Sequence, residues 1–235
     1  MHRTLFLILS SLLFMSNSVF SSEAFGPREN KLVFSGDSSS ISYSISNSGK
    51  NIPWLVQAWV EDYREVRTND FATVPLVFRV EPASQFNVRI VKNGNIPEDR
   101  ESVYWVVSNS IPGRNEKKVD EEKGKITAEL SLAYKFKVPM IYRPSSLEKI
   151  KKDPKALLWT SEGKGVIKIY NPTRFAMQIN HVTINGQRKQ GDGISYIIPP
   201  LSGTSVSIDA GIGTKITYGV TNDFGAVKEY EGVVK

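Results

Sequence analysis

Between Ile126 and Met140 the chain alternates without a break. Even positions carry Ile126, Ala128, Leu130, Leu132, Tyr134, Phe136, Val138 and Met140, and odd positions carry Thr127, Glu129, Ser131, Ala133, Lys135, Lys137 and Pro139. A period of two places successive side chains on opposite faces of an extended strand, so this segment reads as one strand with one apolar row. It is about twice as long as an average strand. The plain alternative is a long core strand whose whole row faces its own domain. The length argues against it, because one small sandwich can hardly cover such a row. The surplus stands as an exposed apolar edge, which soluble proteins avoid unless another strand is meant to pair there.

The rest of the chain repeats the same period in shorter runs. Ile41, Tyr43 and Ile45 alternate with serines, and Phe86, Val88 and Ile90 alternate with Asn87 and Arg89. Val206 and Ile208, then Ile216, Tyr218 and Val220, continue it late in the sequence. Turn-forming pairs punctuate these runs at Ser48-Gly49, Asn93-Gly94, Asn185-Gly186 and Asp192-Gly193. No long stretch carries a helical period. Short strands at this spacing predict an all-β fold built of antiparallel sandwiches.

A polar, lysine-rich stretch from Ser145 to Lys155, with Pro144 before it and Pro154 inside it, reads as a linker or an irregular lead-in to a second unit. The expected organisation is a leader over 1–21, a first sandwich over 22–144 and a second over 145–235. The leader rests on weakly basic His2 and Arg3, an apolar run from Leu5 to Phe14, and small residues with Val19 and Ser21 placed for cleavage. That run is shorter than the roughly 20 residues a spanning helix needs, so export rather than anchoring is predicted. The segment from Gly113 to Lys125 is densely charged and is expected to be disordered in the free protein.

Composition narrows the chemistry. There is no cysteine in the 235 residues, so stability rests on core packing even in a compartment that permits disulfides. The net charge of +6 comes from scattered lysines and arginines without a zinc-finger or RNA-binding pattern, which argues against nucleic acid as a partner. No Gly-x-Ser-x-Gly elbow and no zinc-ligand spacing occurs, and beyond His2 in the leader His181 is the only histidine. His181 reads as a strand residue rather than a base. The expectation is a binding protein with no catalytic residue, metal or cofactor.

Tyr142-Arg143-Pro144, closing the long strand, resembles the Tyr-Arg-Pro that ends the first domain of the periplasmic pilus-assembly chaperones of the chaperone–usher pathway. Other segments fall in that family's order. Pro53-Trp54-Leu55-Val56-Gln57-Ala58-Trp59-Val60-Glu61 is similar to its third strand, and Thr73-Val74-Pro75 followed by Phe78-Arg79-Val80-Glu81-Pro82 resembles its Thr-Pro-Pro and Phe-Arg-Leu-Glu-Pro segments. Asp99-Arg100-Glu101-Ser102-Val103-Tyr104-Trp105 followed by Ile111-Pro112, then Asn171-Pro172-Thr173 and Asn222-Asp223-Phe224-Gly225, complete the set. The resemblance spans nearly the whole chain after the leader.

The resemblance implies two immunoglobulin-like sandwiches arranged in an L with a cleft between them. It also implies a function: to bind and cap pilin or fimbrial subunits by lending them a strand, and to deliver them to an outer-membrane usher. The lending strand would present Leu130, Leu132, Tyr134 and Phe136. A self-capping homodimer is a further expectation for the free protein, since an exposed edge invites pairing. The family anchors a subunit's terminal carboxylate with two basic residues. Here Lys31 stands where an arginine is usual and Pro139 where a lysine is usual, so Lys137, on the same strand face, is the candidate substitute, with Arg28 as a further contributor. Glu101, Arg143 and Asp223 match an interdomain salt-bridge cluster. The charged loop is longer than in the family's short-loop members, whereas long-loop members carry a cysteine pair that this chain lacks. The competing reading is a secreted immunoglobulin-like adhesin or carbohydrate-binding module.

Overall fold

The computed structural model describes residues 24–113, 132–191 and 196–235. The leader, most of the charged loop, Asp192-Gly193, and Ile126 to Leu130 of the alternating strand lie outside the described residues.

Strands account for most of the described backbone, and several run where the sequence shows period-two patterning. The first half contains β1 (Phe25–Pro27), β2 (Leu32–Ser35), β3 (Ser40–Asn47), β4 (Trp54–Asp62), β5 (Phe71–Val74), β6 (Val77–Val80), β7 (Ser84–Lys92), β8 (Ser102–Pro112) and β9 (Tyr134–Arg143). They form two sheets, ordered β1-β3-β7-β5 and β2-β9-β8-β4-β6. The apolar residues of β3 and β7 turn inward against those of β4, β8 and β9. Phe34, Tyr43, Ile45, Val56, Val88, Ile90, Val106 and Met140 are fully buried between the sheets. The Tyr43 hydroxyl in this layer is matched to Ser108 Oγ at 2.9 Å, as a buried hydroxyl requires.

The second half contains β10 (Leu158–Gly163), β11 (Val166–Asn171), β12 (Met177–Ile184), β13 (Gln187–Lys189), β14 (Tyr196–Ile198), β15 (Ser202–Ser207), β16 (Lys215–Thr221) and β17 (Val227–Val233). One sheet runs β10-β11-β15, and the other runs β13-β12-β16-β17 with β14 also pairing with β12. Asn185 and Gly186, at φ 50° and 76°, make the tight turn between β12 and β13, the left-handed pair that such a hairpin demands. Gly219 is required for space. A Cβ there would run into the His181 imidazole, which lies buried in β12 with Nε2 2.7 Å from Glu229 Oε1.

The connecting segment is docked rather than loose. Short 3₁₀ turns at Ser145–Leu147 and Pro154–Ala156 interrupt it. Leu147 is fully buried in the core of the second sandwich, beside Trp159 and Tyr218. The Tyr218 hydroxyl donates to the carbonyl of Pro154 at 2.9 Å. Polar composition marked the stretch as a linker, yet Leu147, Pro154 and Leu157 bury it against β16 and its neighbours.

The two sandwiches touch through a small apolar patch in which Val103 and Ile141 of the first meet Ala176 and Ile197 of the second. Tyr63 reinforces it, donating to the Ile197 carbonyl at 3.2 Å and meeting Tyr196 edge-on. Ile141 sits on the odd-numbered face of β9, opposite the row that fills the core.

Candidate functional site: an open strand edge and an ion cluster at the domain junction

β9 is held differently along its length. On one side β8 pairs with it antiparallel from Tyr134 to Tyr142. On the other side β2 pairs with it parallel, and only from Met140 to Arg143. Among the described residues, no strand covers the second edge of β9 from Tyr134 to Pro139. The backbone groups of that edge are therefore free to form a ladder with another chain.

Burial follows the same division. Val138, Met140 and Tyr142 are buried in the first core, whereas Leu132 and Tyr134 are 55% and 41% exposed. Phe136 is half-buried, its ring over the backbone of Gly26 and 6.1 Å from the Phe25 ring. Phe25 stacks on Trp54 at 4.2 Å, and Tyr134 lies 5.3 Å from Trp54. An aromatic shelf thus supports the open half of β9, and Tyr134 and Phe136 lie together at it. Leu130 falls outside the described residues.

The junction between the sandwiches gathers Glu101, Arg143 and Asp223. Arg143 ends β9, Glu101 precedes β8, and Asp223 sits in the turn between β16 and β17. Arg143 Nε is 2.6 Å from Glu101 Oε1, and its Nη2 is 2.7 Å from Asp223 Oδ2. The Glu101 side chain is wholly buried and also accepts the backbone N–H of Ala176 at 2.7 Å. A carboxylate withdrawn from water needs both the paired cation and the extra donor. Burial alone would raise the Asp223 carboxyl, but Lys152, Arg143 and Lys31 outweigh it and hold it below its ordinary value. Burial likewise works against the Arg143 charge, and the two carboxylates outweigh it, raising that group further.

Two lysines complete the cluster. Lys31, just before β2, has a side chain only 5% exposed. Its Nζ lies 3.5 Å from Asp223 Oδ1 and donates to the Asn222 carbonyl at 3.4 Å. Lys152, from the connecting segment, has Nζ 3.9 Å from both Glu101 Oε2 and Asp223 Oδ1. Burial depresses both ammoniums, and for Lys31 the second cause is the repulsion of Lys152. Sequence reasoning did not single out Lys152. It sits in a run with Lys149 and Lys151 that reads as a solvated face, and only the docking of the segment turns it inward.

Lys137 lies elsewhere, bound to Glu65 at 2.7 Å and to Glu61 of β4 at 3.2 Å, with Nζ 5.5 Å from the Trp105 ring. Arg28 is engaged with Gln85 at 2.8 Å. Lys31, Glu101, Arg143 and Asp223 are thus brought together, while Lys137 stands two residues back along β9 from Pro139.

The protein family described as Pili and flagellar-assembly chaperone, PapD N-terminal domain, matches residues 24–148, and Pili assembly chaperone PapD, C-terminal domain, matches residues 152–232. The chain belongs to the pilus-assembly chaperone family. This chaperone is 29% identical over 233 residues to the probable fimbrial chaperone LpfB of Escherichia coli O157:H7, covering 97% of this chain and 96% of that protein. It is 27% identical to the Escherichia coli chaperone protein FocC, covering 87% and 88%. Among solved structures, a chain of the Salmonella enterica SafA pilin–SafB chaperone complex superposes with TM-score 0.73 at 26% identity, over 90% of this chain and 96% of that one. The Escherichia coli chaperone DraB shares the fold, with TM-score 0.73 at 23% identity over 91% and 97% of the two chains. Both sandwiches of the chaperone are accounted for, and the adhesin or carbohydrate-binding alternative is not favoured. Among the described residues no helix is long and apolar enough to cross a membrane.

Proposed function

We propose that the chaperone works in the periplasm, exported by its leader, and caps pilin or fimbrial subunits by pairing the open half of β9 with an incomplete subunit sheet before passing them to an outer-membrane usher. The observation that carries this reading is the uncovered edge from Tyr134 to Pro139 beside exposed Leu132 and Tyr134. Strand addition gives generic affinity through main-chain hydrogen bonds and specificity through alternate side chains. Burying Leu130, Leu132, Tyr134 and Phe136 in a subunit groove would contribute about 6–12 kcal/mol gross. Loss of translational and rotational freedom offsets roughly 4–15 kcal/mol of that, which suits a complex that must later be released. Lys31, with Lys137 further along β9, would face the subunit's terminal carboxylate, and the Glu101–Arg143–Asp223 cluster would set the angle between the sandwiches. Free of subunit, the same edge would accept a second copy of this chain. The chaperone acts by binding and needs no catalytic group.

The test is tagged purification from the native periplasm with intact mass of every co-purifying chain. A one-to-one complex with a small β-rich subunit is expected for the wild type, lost in Leu132→Asp and weakened in Lys31→Ala. A Leu132→Asp chaperone that still holds its subunit at wild-type strength would rule out the assignment of β9 as the pairing strand.

A further inference from the structure

The open half of β9 is uncovered on one edge among the described residues, yet it is held on its outward face. Val56, Ala58 and Val60 of β4 and Tyr104 and Val106 of β8 fill the first core. Alternation therefore puts Trp59, Glu61, Trp105 and Val107 on the other face of the sheet, with Lys135 and Lys137 of β9. In register, Glu61 stands level with Trp105 and Pro139, and Trp59 stands level with Val107 and Lys137. Neither lysine stays at its own level. Lys137 Nζ lies 5.5 Å from the Trp105 ring and reaches Glu61 Oε2 at 3.2 Å and Glu65 Oε2 at 2.7 Å. Lys135 follows it, with Nζ 5.6 Å from the Trp59 ring and 3.8 Å from Glu61 Oε1. Both side chains lean along the strand toward Pro139, and one carboxylate on the far side of β8 collects both ammoniums.

Glu61 is itself fixed. Its side chain is only 8% exposed, and its Oε1 accepts Trp59 Nε1 at 2.9 Å. Its backbone is bridged to Arg67, whose guanidinium lies 5.6 Å from the same Trp59 ring. Ion pairs on a carboxylate so far withdrawn from water are little screened by salt. Val107, between Trp59 and Lys137 in register, is fully buried although it lies outside the core cluster. Lysine stems can cover apolar surface of this kind while their heads reach a charge. A strand with a ladder on one side only belongs to the part of a fold that opens most easily. Here the restraint missing from the open edge is supplied from the face.

We propose that Glu61 is the positioning residue of the pairing strand: through Lys135 and Lys137 it holds the open half of β9 extended on β8 before a partner arrives. The strand is then ordered in advance, which removes part of the ordering cost of binding. This inference rests on the strand-pairing function proposed above, and its first test does not pass through pairing. Amide hydrogen exchange is followed by NMR in the free full-length chaperone. Glu61→Gln keeps the shape and removes the charge. It should speed exchange of the amides bonded to β8 between Tyr134 and Lys137 about tenfold relative to those between Val138 and Tyr142, the effect of one lost charge-assisted hydrogen bond. Lys135→Met changes a half-exposed side chain that the fold does not need, and should speed the same amides about twofold. Glu61→Gln combined with Lys137→Met should give less than the two single effects together, because both cut one contact.

Pairing is measured next, with the subunit that co-purifies with the wild-type chaperone, separated in urea and diluted into each variant. Glu61→Gln should slow capture about tenfold and leave dissociation of the formed complex unchanged, since a bound partner holds the strand by itself. A residue that touched the partner would act mainly on dissociation. A rise in exchange shared equally by Val138 to Tyr142 would mark Glu61 as a residue of overall stability and overturn the inference. No rise between Tyr134 and Lys137 in either single variant overturns it too, as does faster dissociation or capture at the wild-type rate. Failure of the strand-pairing function would show instead as a wild-type complex in Leu132→Asp, whatever the exchange pattern of Glu61→Gln.

Discussion

The two halves of β9 share one strand and one alternating pattern but live in different surroundings. From Met140 to Arg143 the strand has β2 on one side and, as far as Tyr142, β8 on the other, with Met140 and Tyr142 in the core and its last residue locked into the junction cluster. From Tyr134 to Pro139 it keeps only β8, and its first apolar side chains, Tyr134 and Phe136, rest on Trp54 and Phe25. One half of the strand is committed to the fold of its own domain and the other is left incomplete. The boundary is drawn by β2, which ends its pairing at Leu32 opposite Met140 and turns away through Lys31. A strand of this length can serve a core and a partner at once because its edge is covered over only part of its length.

The largest break in this comparison is expected from Arg143→Ala. It removes the only close cation of Glu101 among the described residues, and the Glu101 side chain, which has no exposure to solvent, is left as a buried carboxylate without its partner. A loss of about 3–5 kcal/mol is expected from chemical denaturation. Lys152, at 3.9 Å from Glu101, is too distant to take over that role. The junction should loosen with it, so the contact of Tyr63 with Tyr196 would be lost to near-ultraviolet spectroscopy as well.

Next comes Met140→Ala in the closed half. Met140 is fully buried among the first core, and its truncation should cost about 2–5 kcal/mol, depending on how far the cavity collapses. Thermal and urea unfolding should agree on the loss. The same truncation two turns of the pleat earlier, in the open half, has no core to empty.

Acid separates the junction from the rest more gently. The Asp223 carboxyl is depressed below its ordinary 3.8, so its ion pairs contribute stability that is complete above that value and is lost as pH falls through the lower, folded-state value. Glu61, against which burial also works, is held below 4.5 by Trp59, Lys137 and Lys135, and has the same sign. A urea midpoint that holds steady above about pH 5 and falls below about pH 4 is expected. Asp223→Asn should flatten part of that fall, and a midpoint that fell equally in the variant would remove Asp223 from the account.

Much of this was legible in the sequence, and the unread part has a physical reason. Ile41, Tyr43 and Ile45 fall in β3, Phe86, Val88 and Ile90 in β7, and Ile216, Tyr218 and Val220 in β16, because a half-buried strand imposes its period directly on side-chain polarity. The Asn185-Gly186 turn was equally visible, since it needs left-handed backbone. Glu101, Arg143 and Asp223 were found through the resemblance, not through any periodicity. Lys152 was invisible to both, since a lysine in a polar run carries no sign of which way it faces until Leu147 and Pro154 are seen to dock. Nor does the pattern of β9 reveal where β2 stops covering it, because parallel pairing leaves no mark in the alternation of either strand.

The smallest effect on stability is expected where the effect on function is largest. Leu132 is more than half exposed and lies just before β9, so Leu132→Asp removes little apolar contact from the folded chaperone, and its unfolding midpoint should stay within about 0.5 kcal/mol of wild type. A drop of several kcal/mol would mean that Leu132 packs against its own domain in solution, and the open half of β9 would then be as closed as the other. If stability holds while the subunit complex is lost, Leu132 is an apolar side chain that the isolated fold does not use. An exposed apolar edge is a liability to a soluble protein. A second chain pairing on the open half of β9, as proposed above, would cover it.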